Sequence, residues 1–422
     1  MRESGDIVLV VGGGGREHAV IHALSKSPEI AEIHCAPGNG GIAELATCHP
    51  KVAATDLDAQ VELALKLDCD LVVVTPDDPL ALGLVDRLSE VGIRAFGPTA
   101  AAAKLESSKV FAKELMRRLN IPTADARICS DIQEAISCLP SCTYPLVIKA
   151  DGLAQGKGVL ICQDYDEAKT AVNNIMEARV FGAAGESILL EEYLTGPEVT
   201  VLCFCDGSNL VALPTSRDHK RIGDGDTGLN TGGMGAFAPV AEIDDNLLRE
   251  IINTIFLPVI REMSRLGTPF QGILYGGLML TKKGPYVIEF NARFGDPEAQ
   301  SILPLVKSDL YTLMKACLDG ELDRLRLQCS DEFSCVVMMA SKGYPGKYQT
   351  GFEITGLDDV EQAYVYHSGT KREANKFLTA GGRVLGVSAQ GKTLDEAIDK
   401  AYLELGKIYF EDCVYRRDIG KT

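Results

Sequence analysis

The chain has no tryptophan, few aromatic residues and little positive charge. Phenylalanine and tyrosine make up 6% of its 422 residues, so ligand binding must be followed by a probe other than tryptophan fluorescence. Lysine and arginine (42) are outnumbered by aspartate and glutamate (59), which gives a formal net charge of −17. Because nucleic acids are bound through extended basic surfaces, this balance argues against a nucleic-acid partner. Phosphate groups must then be bound by local lysines and glycine loops.

Long apolar runs and paired cysteines are also missing. No stretch approaches the ~20 apolar residues that span a bilayer, and the segment before Ile7 lacks a signal-peptide core. We therefore expect a cytoplasmic protein with no membrane partner. The thirteen cysteines are scattered without a Cys-x-x-Cys pair, which favours reduced core residues over disulfides or zinc ligands. A chain of this length is too long for one core and should form about three domains.

The first hundred residues alternate between strand-like runs and helical spacing. Strands are predicted at residues 7–11, 33–36, 71–75 and 93–96, and helices at 16–25, 59–67 and 80–91. This order predicts a doubly wound parallel sheet. Dinucleotide binding is the rival interpretation, but Glu17 stands where G-x-G-x-x-G needs its last glycine, and the second strand ends without an acid for a ribose. A glycine loop at a helix N-terminus can still bind a small phosphate group.

The most informative segment is VIEFNARFGDPEAQ at residues 287–300. Glu289, Asn291 and Arg293 alternate on a predicted strand and should share one face. A carboxylate and an amide oxygen suit Mg²⁺, which takes few protein ligands and completes its shell with water and phosphate oxygens. The arginine can hold an anion. The alternative is a sheet edge with a solvated polar face, followed by a turn at residues 295–297.

A glycine-rich loop follows the apolar run that ends in Lys149. It contains three glycines and a second lysine: Gly152, Gly156, Lys157 and Gly158. Such a loop can close over phosphates, because glycine lets backbone N–H groups approach and lysine neutralises charge. It is not a Walker A loop, since the hydroxyl that those loops offer after Gly-Lys is missing. A β-hairpin with glycines at its turn is the alternative, and a mobile hairpin lid is compatible with nucleotide binding.

Residues 187–201 predict a strand, two acids, a short break and another strand. An adenine could lie at the break, where backbone groups would read the base edge and acids would accept hydrogen bonds from its amino group or from the ribose. The candidates are Glu191, Glu192, Tyr193, Leu194 and Glu198. The order of lysine, glycine loop, Glu-Glu-Tyr-Leu and Glu-Phe-Asn fits one nucleotide between two α+β lobes.

With these residues in view, the chain resembles the phosphoribosylamine-glycine ligases, also called glycinamide ribonucleotide synthetases, within the ATP-grasp superfamily. The resemblance runs from Val8 to Gly420 and is carried by long motifs. They include GGGGREHA at 12–19, APGNGG at 36–41, FGPTAAAAKLESSKVFAKELM at 96–116, DHKR at 218–221, NTGGMGAFAP at 230–239, GILYGGLML at 272–280, GGRVLGV at 381–387 and YRRDIG at 415–420.

The resemblance implies a three-domain α/β and α+β architecture. An N-terminal doubly wound parallel-sheet domain (1–103) would bind substrate, an ATP-grasp domain (104–326) would carry a mobile lid at about 122–193, and a small α+β domain (327–422) would follow. It also implies ATP-dependent ligation of glycine to 5-phosphoribosylamine through glycyl phosphate, in de novo purine biosynthesis. The expected partners are small molecules, and the expected state is a monomer or a weak homo-oligomer.

The resemblance also implies roles for individual residues. On the nucleotide side these are Glu289 and Asn291 on Mg²⁺ or Mn²⁺, Lys109 and Lys149 near the phosphates, and residues 152–158 over them. Arg293, with Asp296 in the turn, would hold the glycine carboxylate and the transferring phosphoryl group. The acceptor side would comprise Asp218, His219, Lys220, Asn230, Thr231, Gly232 and Gly233, with the sugar phosphate at Gly13, Gly14, Gly15 and Arg16. The plain alternatives are a surface histidine at 219, solvated charges at 220 and 221, and an ordinary turn at 230–235.

The chain departs from the family pattern near the expected acceptor site. Thr75-Pro76-Asp77 stands where the family usually has Gly-Pro-Glu, and Arg217 stands where it usually has glutamine. Two rival functions remain at this level: a sister ATP-grasp ligase or carboxylase acting on another acid, and an inactive nucleotide-binding protein. The pair of motifs at 218–221 and 230–235 argues against the first, because purine-pathway carboxylases lack it. Intact residues at 149, 289, 291 and 293 argue against the second.

Overall fold

The N-terminal domain is built on a parallel sheet, as the alternating pattern predicts. The computed structural model describes residues 5–154 and 158–421. The strands are β1 (Asp6–Gly12), β2 (Ile30–Pro37), β3 (Thr47–Cys48), β4 (Leu71–Val74) and β5 (Ala95–Phe96), and the helices are α1 (Gly15–Leu24), α2 (Leu57–Leu67), α3 (Asp77–Ala81) and α4 (Leu84–Glu90). The sheet order is β3-β2-β1-β4-β5, with every pairing parallel. The single helix predicted at 80–91 is divided into α3 and α4 at Gly83, whose φ of +89° lies in the left-handed region.

The central part of the chain begins with two helices and a small antiparallel lobe, which we call the first lobe (residues 126–192). The helices are α5 (Ala100–Ser107), α6 (Lys109–Arg118), α7 (Ile132–Cys138) and α8 (Tyr165–Val172), and the strands are β6 (Ala126–Cys129), β7 (Leu146–Ala150), β8 (Val159–Cys162) and β9 (Ile188–Glu192). The strand order is β6-β9-β7-β8. Residues such as Ile148, Val172 and Ile188 form a hydrophobic core within this lobe.

The second lobe contains the strand on which Glu289 and Asn291 lie. Its elements are β10 (Glu198–Asp206), β11 (Leu210–Ala212), β12 (Arg217–Asp218), β13 (Arg221–Gly223), β14 (Thr227–Asn230), β15 (Gly235–Ala238), α9 (Asp245–Ile251), α10 (Leu257–Arg265), β16 (Gln271–Thr281), β17 (Gly284–Asn291), α11 (Glu298–Ile302) and α12 (Leu310–Asp319). A π-helical turn, Ile252–Phe256, joins α9 to α10. The main sheet is antiparallel in the order β11-β10-β16-β17, and β13 pairs with β14 as a separate hairpin.

The C-terminal domain completes a sheet that the central part begins. Its elements are β18 (Phe333–Ser341), β19 (Glu353–Ile354), β20 (Tyr364–His367), β21 (Thr370–Glu373), β22 (Lys376–Thr379), β23 (Arg383–Gly391), α13 (Leu394–Leu405) and β24 (Cys413–Val414). The sheet order β12-β15-β18-β23-β20 joins two short strands of the second lobe to three strands of this domain. The segment between β12 and β15, which carries the motifs at 218–235, is therefore anchored in the C-terminal sheet at both ends.

Packing separates the first lobe from the rest of the molecule. One hydrophobic core contains Leu9 and Val11 of the N-terminal domain, Phe256 of the second lobe, and Val337 and Leu385 of the C-terminal domain. Because these residues share one cluster, the three regions form a continuous body. Among the described helices, none has both the length and the apolar character required to cross a bilayer.

Candidate active site

A cleft of about 920 Å³ lies where the regions of the chain meet. The N-terminal domain contributes Arg16 and Asp77 to its wall, the central part contributes most of the remainder, and the C-terminal domain contributes Arg383. Most of the residues predicted from the motifs meet at this cleft: Lys109, Lys149, Gly152, Gly158, Glu191, Tyr193, Leu194, Glu198, Asp218, His219, Lys220, Asn230, Thr231, Gly232, Glu289, Asn291, Arg293 and Asp296. Gly156 and Lys157 lie outside the described residues.

A buried charge cluster marks one side of the cleft. The Glu191 carboxylate lies 2.9 Å from the Lys113 Nζ atom and 2.8 Å from the Lys149 Nζ atom. Burial raises the pKa of Glu191, but the two lysines outweigh this effect and hold the pKa below its usual range. One carboxylate therefore faces two ammonium groups. The cluster keeps a net positive charge, which suits a polyphosphate.

Backbone carbonyls orient the lysines of this side. Lys149 donates to the Ile288 carbonyl at 3.0 Å, and Lys109 donates to the Gly152 carbonyl at 2.9 Å. Lys113 donates to the Ala124 carbonyl at 2.9 Å. Lys113 is a residue that the motif analysis missed. Its position four residues after Lys109 on α6 was the available signal, because residues at that spacing share one helix face.

The acids predicted to bind adenine occupy different environments. Glu191 is committed to the two lysines, and Glu198 pairs with Lys220 at 2.6 Å. Glu192, next on β9, is not part of the cleft wall, and its side chain accepts a hydrogen bond from the Asp125 N–H group at 3.0 Å. The alternation of side chains along a strand accounts for this separation.

Strand β17 ends at Asn291, so Arg293, which was predicted to lie on the same strand as Glu289 and Asn291, lies in the loop beyond it. Glu289 faces Gly277 across the strand pair, and Asn291 faces Tyr275. Burial raises the pKa of Glu289, but the charges of Lys220, Lys149 and other basic residues hold it below its usual range. Glu289 is therefore ionised, and its carboxylate could serve as a hard ligand for a cation.

The donor set fits a divalent cation of the magnesium type. Within the described residues, no cluster of three or more histidine, cysteine or acidic side chains has metal-binding geometry. One carboxylate and one amide oxygen remain, from Glu289 and Asn291. Such a pair suits an ion that draws its other ligands from water and phosphate oxygens rather than from a closed protein cage.

The Arg293 side chain is half-buried, and its guanidinium group is only partly satisfied. Its Nη2 atom lies 2.8 Å from the Glu106 carboxylate, and Nη1 donates to the Phe294 carbonyl at 3.2 Å. Within the described part of the chain, its Nε atom has no hydrogen-bond partner. Because a buried unpartnered donor is costly, this atom is suited to an anionic ligand.

A second group of charges surrounds Asp218. Burial raises the pKa of Asp218 to about 7, and the nearby acids Glu298, Glu198 and Glu289 add to the effect, whereas Lys220 opposes it. Glu298 was not predicted from the motifs; it is buried and accepts a hydrogen bond from the Tyr275 hydroxyl at 2.8 Å. Asp218 can therefore exchange a proton near neutral pH.

The loop at residues 230–233 is held by the C-terminal domain. Arg383 donates to the Gly232 carbonyl at 2.6 Å, and Gly232 donates its N–H group to the Tyr344 hydroxyl at 3.0 Å. The Nη2 atom of Arg383 also lies 2.9 Å from the Asp296 carboxylate. Thr231 donates its hydroxyl to the Lys220 carbonyl at 2.8 Å. The loop is therefore a braced part of the wall rather than a solvated turn.

The glycine loop before α1 makes close internal contacts. The Gly14 N–H group donates to the Glu17 carboxylate at 2.6 Å, and the Arg16 Nε atom donates to the same carboxylate at 2.7 Å. A Cβ atom on Gly13 would lie 2.5 Å from the Gly38 carbonyl oxygen, and one on Gly15 would lie 2.5 Å from side-chain atoms. Close packing thus explains two of these glycines. Of residues 13–16, Arg16 alone is among the residues that form the cleft wall.

The two departures from the family pattern have structural partners. Thr75 donates its hydroxyl to the Glu17 carboxylate at 2.7 Å, which completes the enclosure of that acid. Arg217 donates to the Glu198 carbonyl at 2.8 Å and pairs with Glu242 at 2.8 Å. Asp77 lies in the cleft wall near Arg16 and Arg293, whose charges help to lower its pKa against the opposing effect of burial.

Comparisons with known proteins define the class and then the family. Solved biotin carboxylases share the fold, and the *Campylobacter jejuni* enzyme superimposes with a TM-score of 0.75 at 13% identity, covering 97% of this chain and 93% of that one. Three family models match successive parts of the chain: the phosphoribosylglycinamide synthetase N domain (residues 6–106), its ATP-grasp (A) domain (107–299) and its C domain (334–422). The fold and the cleft thus define an ATP-grasp protein. The chain belongs to the phosphoribosylglycinamide synthetase family.

Individual relatives are similar to almost the whole of this chain. A phosphoribosylamine-glycine ligase of *Caldanaerobacter subterraneus* is 47% identical, with 98% of this chain and 99% of that protein covered. The human trifunctional purine biosynthetic protein adenosine-3 is 46% identical over 98% of this chain, which matches 41% of that protein. The crystal structure of a phosphoribosylamine-glycine ligase from *Thermotoga maritima* superimposes with a TM-score of 0.86 at 34% identity, covering 98% of this chain and 100% of that one. The predicted family and three-domain architecture are confirmed.

Proposed function

We propose that the chain ligates glycine to 5-phosphoribosylamine with ATP, through glycyl phosphate, and releases glycinamide ribonucleotide, ADP and phosphate in purine biosynthesis. The observation that carries the proposal is the meeting of two unlike groups in one cleft. The Lys113–Glu191–Lys149 cluster suits a polyphosphate. In the same cleft, Arg293 suits a carboxylate, and Asp218 suits proton transfer. The full-length similarity to phosphoribosylamine-glycine ligases supports the same reaction.

ATP is needed because a carboxylate does not condense with an amine at neutral pH. In the first step, a glycine carboxylate oxygen attacks the γ-phosphorus, a new P–O bond forms, and the bond to ADP breaks. In the second step, the amine nitrogen of phosphoribosylamine attacks the acyl carbon and the C–O bond to phosphate breaks. The nitrogen loses a proton as the amide forms. Positioning and charge neutralisation account for most of the acceleration in such phosphoryl transfers.

On the nucleotide side, Lys109, Lys113 and Lys149 bind the phosphates, and the glycine-rich loop covers them. Glu289 and Asn291 would hold Mg²⁺ or Mn²⁺, which when bound neutralises charge on the β- and γ-phosphate oxygens. On the same side, Tyr193 and Leu194 bind the base, and Glu198 binds the ribose. The first lobe acts as a lid that excludes water, because an acyl phosphate is lost to hydrolysis if water enters.

On the acceptor side, the Arg293 guanidinium, which lines the cleft, holds the glycine carboxylate and then the transferring phosphoryl group, with Asp296 close by. Asp218 accepts the proton that the amine loses, and Lys220 stabilises the ionised form of Asp218. His219 and residues 230–233 border the amine substrate. The ribose 5-phosphate lies at residues 13–16. The Arg16 guanidinium binds it there, since the Gly14 N–H group already donates to Glu17 and is not available to the phosphate.

The chain works on small molecules and acts in the cytoplasm as a monomer or weak homo-oligomer. Its net charge of −17 disfavours binding to nucleic acids and to anionic membrane surfaces. The proposed phosphate-binding residues, which are the lysine cluster and the arginines, line the cleft.

The test is ADP release from purified protein mixed with ATP, Mg²⁺, glycine and freshly made phosphoribosylamine, with each component omitted in turn. The complete mixture should release ADP continuously, and each omission should reduce the rate to background. Replacing glycine with alanine or bicarbonate tests the acid. Faster turnover with another acid, or release that does not depend on phosphoribosylamine, would contradict the proposal.

A further inference from the structure

The motif YRRDIG at residues 415–420 has no role in the reaction described so far. In the structure it leaves β24 and runs along the hairpin formed by β13 and β14. We call residues 415–421 the C-terminal strap and residues 221–230 the acceptor hairpin. The two segments are almost 200 residues apart in sequence, with separations of 190 and 195 for the contacts of Arg416.

Arg416 is the centre of the contact between strap and hairpin. Its side chain is fully buried, with 0% exposure. The Nε and Nη2 atoms donate to the two carboxylate oxygens of Asp418 at 2.8 and 2.7 Å, and the Nη1 atom donates to the Asp226 carboxylate at 2.6 Å and to the Arg221 carbonyl at 3.2 Å. All three guanidinium nitrogens are therefore used. A paired fork of this kind is specific to arginine.

Two further hydrogen bonds, both from backbone N–H groups, connect the strap to the tip of the hairpin. Gly225 donates its N–H group to the Asp418 carboxylate at 2.8 Å, and Arg417 donates its N–H group to the Asp224 carboxylate at 2.8 Å. Gly225 and Asp226 have φ angles of +64° and +54°, which lie in the left-handed region. An aspartate in this region persists where its surroundings hold it. The strap supplies that hold.

The strap is itself fixed to the C-terminal domain. The Tyr402 hydroxyl on α13 donates to the Arg416 carbonyl at 2.9 Å and accepts the Ile419 N–H group at 3.1 Å. Ile419 is buried against β15, so closely that a Cβ atom on Gly235 would lie 2.8 Å from its side chain. The strap is thus a rigid support between a helix and a sheet.

The supported hairpin forms part of the cleft wall. Arg221, Asp226 and Asn230 all border the cleft, and Lys220, the residue before the hairpin, borders it as well. We propose that Arg416 is a positioning residue, which through Asp226 and Asp418 holds the acceptor hairpin in the conformation that the amine substrate requires. The identity of that substrate rests on the function proposed above. Arg416 lies outside the reacting groups and acts through the hairpin alone.

The kinetic test compares Arg416→Gln with the wild type. The KM for phosphoribosylamine should rise ten-fold or more, while the Kd for ATP stays within two-fold, because the lysine cluster does not contact the strap. Arg416→Lys should rescue this loss only in part, since a single ammonium group cannot form the fork. Lys342→Gln is the control, because it removes an exposed ion pair with Asp412 in the same domain; all its constants should be unchanged.

A second variant covers the case in which Arg416→Gln fails to fold. The Asp226 side chain is 61% exposed, so Asp226→Asn removes its charge without disturbing a core. Its KM for phosphoribosylamine should rise about three-fold, in the same direction as for Arg416→Gln. Unchanged phosphoribosylamine kinetics in a folded Arg416→Gln or in Asp226→Asn would overturn the proposal.

Amide hydrogen exchange provides a measurement that does not depend on the assigned reaction. In Arg416→Gln or Asp226→Asn, residues 221–230 should exchange faster than in the wild type, whereas residues 198–206 on β10 should be unchanged. Equal exchange of the hairpin in variant and wild type would refute the support by the strap. If the wild type shows no turnover dependent on phosphoribosylamine, the proposed function fails while the exchange result still decides the role of Arg416.

Discussion

The proposed nucleotide side of the cleft is built within the central part of the chain, whereas the proposed acceptor side gathers residues from every domain. Lys113, Lys149 and Glu191 reach one another through neighbouring elements of that part. On the acceptor side, Arg383 reaches Asp296 from the C-terminal domain, and Arg16 enters from the N-terminal domain. The proposed nucleotide side is therefore formed by one part of the chain. The proposed acceptor side forms only when all three domains are packed together.

This difference suggests how the two sides share the work. The buried lysine cluster suits a polyphosphate because it supplies positive charge. The acceptor side must recognise one amine and one acid, and its geometry is set by contacts between domains. Variants on the two sides should therefore affect different substrates.

The largest effect is expected for the proposed metal ligands, Glu289 and Asn291. Glu289→Gln replaces an ionised ligand with a neutral amide, so turnover at saturating Mg²⁺ should fall at least ~100-fold while the thermal unfolding temperature stays close to that of the wild type. Steady-state ADP release measures this loss. Glu353→Gln is the matched control, because that glutamate pairs with Lys376 on the surface. Normal turnover in Glu289→Gln would show that the metal does not bind at this position.

An intermediate effect is expected for the lysine that the motifs did not reveal. Lys113→Met leaves Glu191 with Lys149 alone and removes one positive charge, so ATP should bind about ten-fold more weakly, corresponding to ~1.4 kcal/mol. The KM for phosphoribosylamine should hold. Equilibrium binding of ATP is the measurement, and Lys376→Met, on the surface, is the control. A loss confined to phosphoribosylamine would reverse the assignment of the two sides.

The smallest effect is a pH dependence on the acceptor side. The pKa of Asp218 is raised to about 7, first by burial and then by neighbouring acids. Because the ionised carboxylate is the form that accepts a proton, kcat/KM for phosphoribosylamine should rise about ten-fold per pH unit below that value and level off above it. Asp218→Asn should have a lower rate and no inflection near pH 7. An unchanged inflection in the variant would assign the proton to another group.

The difference between features formed by neighbouring residues and features formed by contacts between domains also explains what the sequence predicts well. The parallel N-terminal sheet follows from short buried strands alternating with amphipathic helices. The single helix predicted at 80–91 is two helices in the structure, α3 (Asp77–Ala81) and α4 (Leu84–Glu90), divided at Gly83. Glu289, Asn291 and Lys149 could be selected because strand alternation and a glycine loop are local patterns. Lys113 was missed although its spacing from Lys109 was visible.

The rest depends on contacts that no local pattern reveals. The two-residue strand β12 is too short to carry a periodic signal, yet with β15 it joins the C-terminal sheet and so places Asp218. Arg383 reaches the loop at residues 230–233 from about 150 positions away, with separations of 151 and 150. Glu191 looked like a ligand for adenine from its motif, and only the tertiary structure shows the two lysines that share it.

The central claim is that glycine is activated by transfer of a phosphoryl group to its carboxylate. Glycine labelled with ¹⁸O in both carboxylate oxygens tests it directly, with mass analysis of the released phosphate and of glycinamide ribonucleotide. Formation of glycyl phosphate predicts one ¹⁸O atom in each phosphate released and one retained in the amide. Turnover that forms the amide with no ¹⁸O in the phosphate would contradict the account.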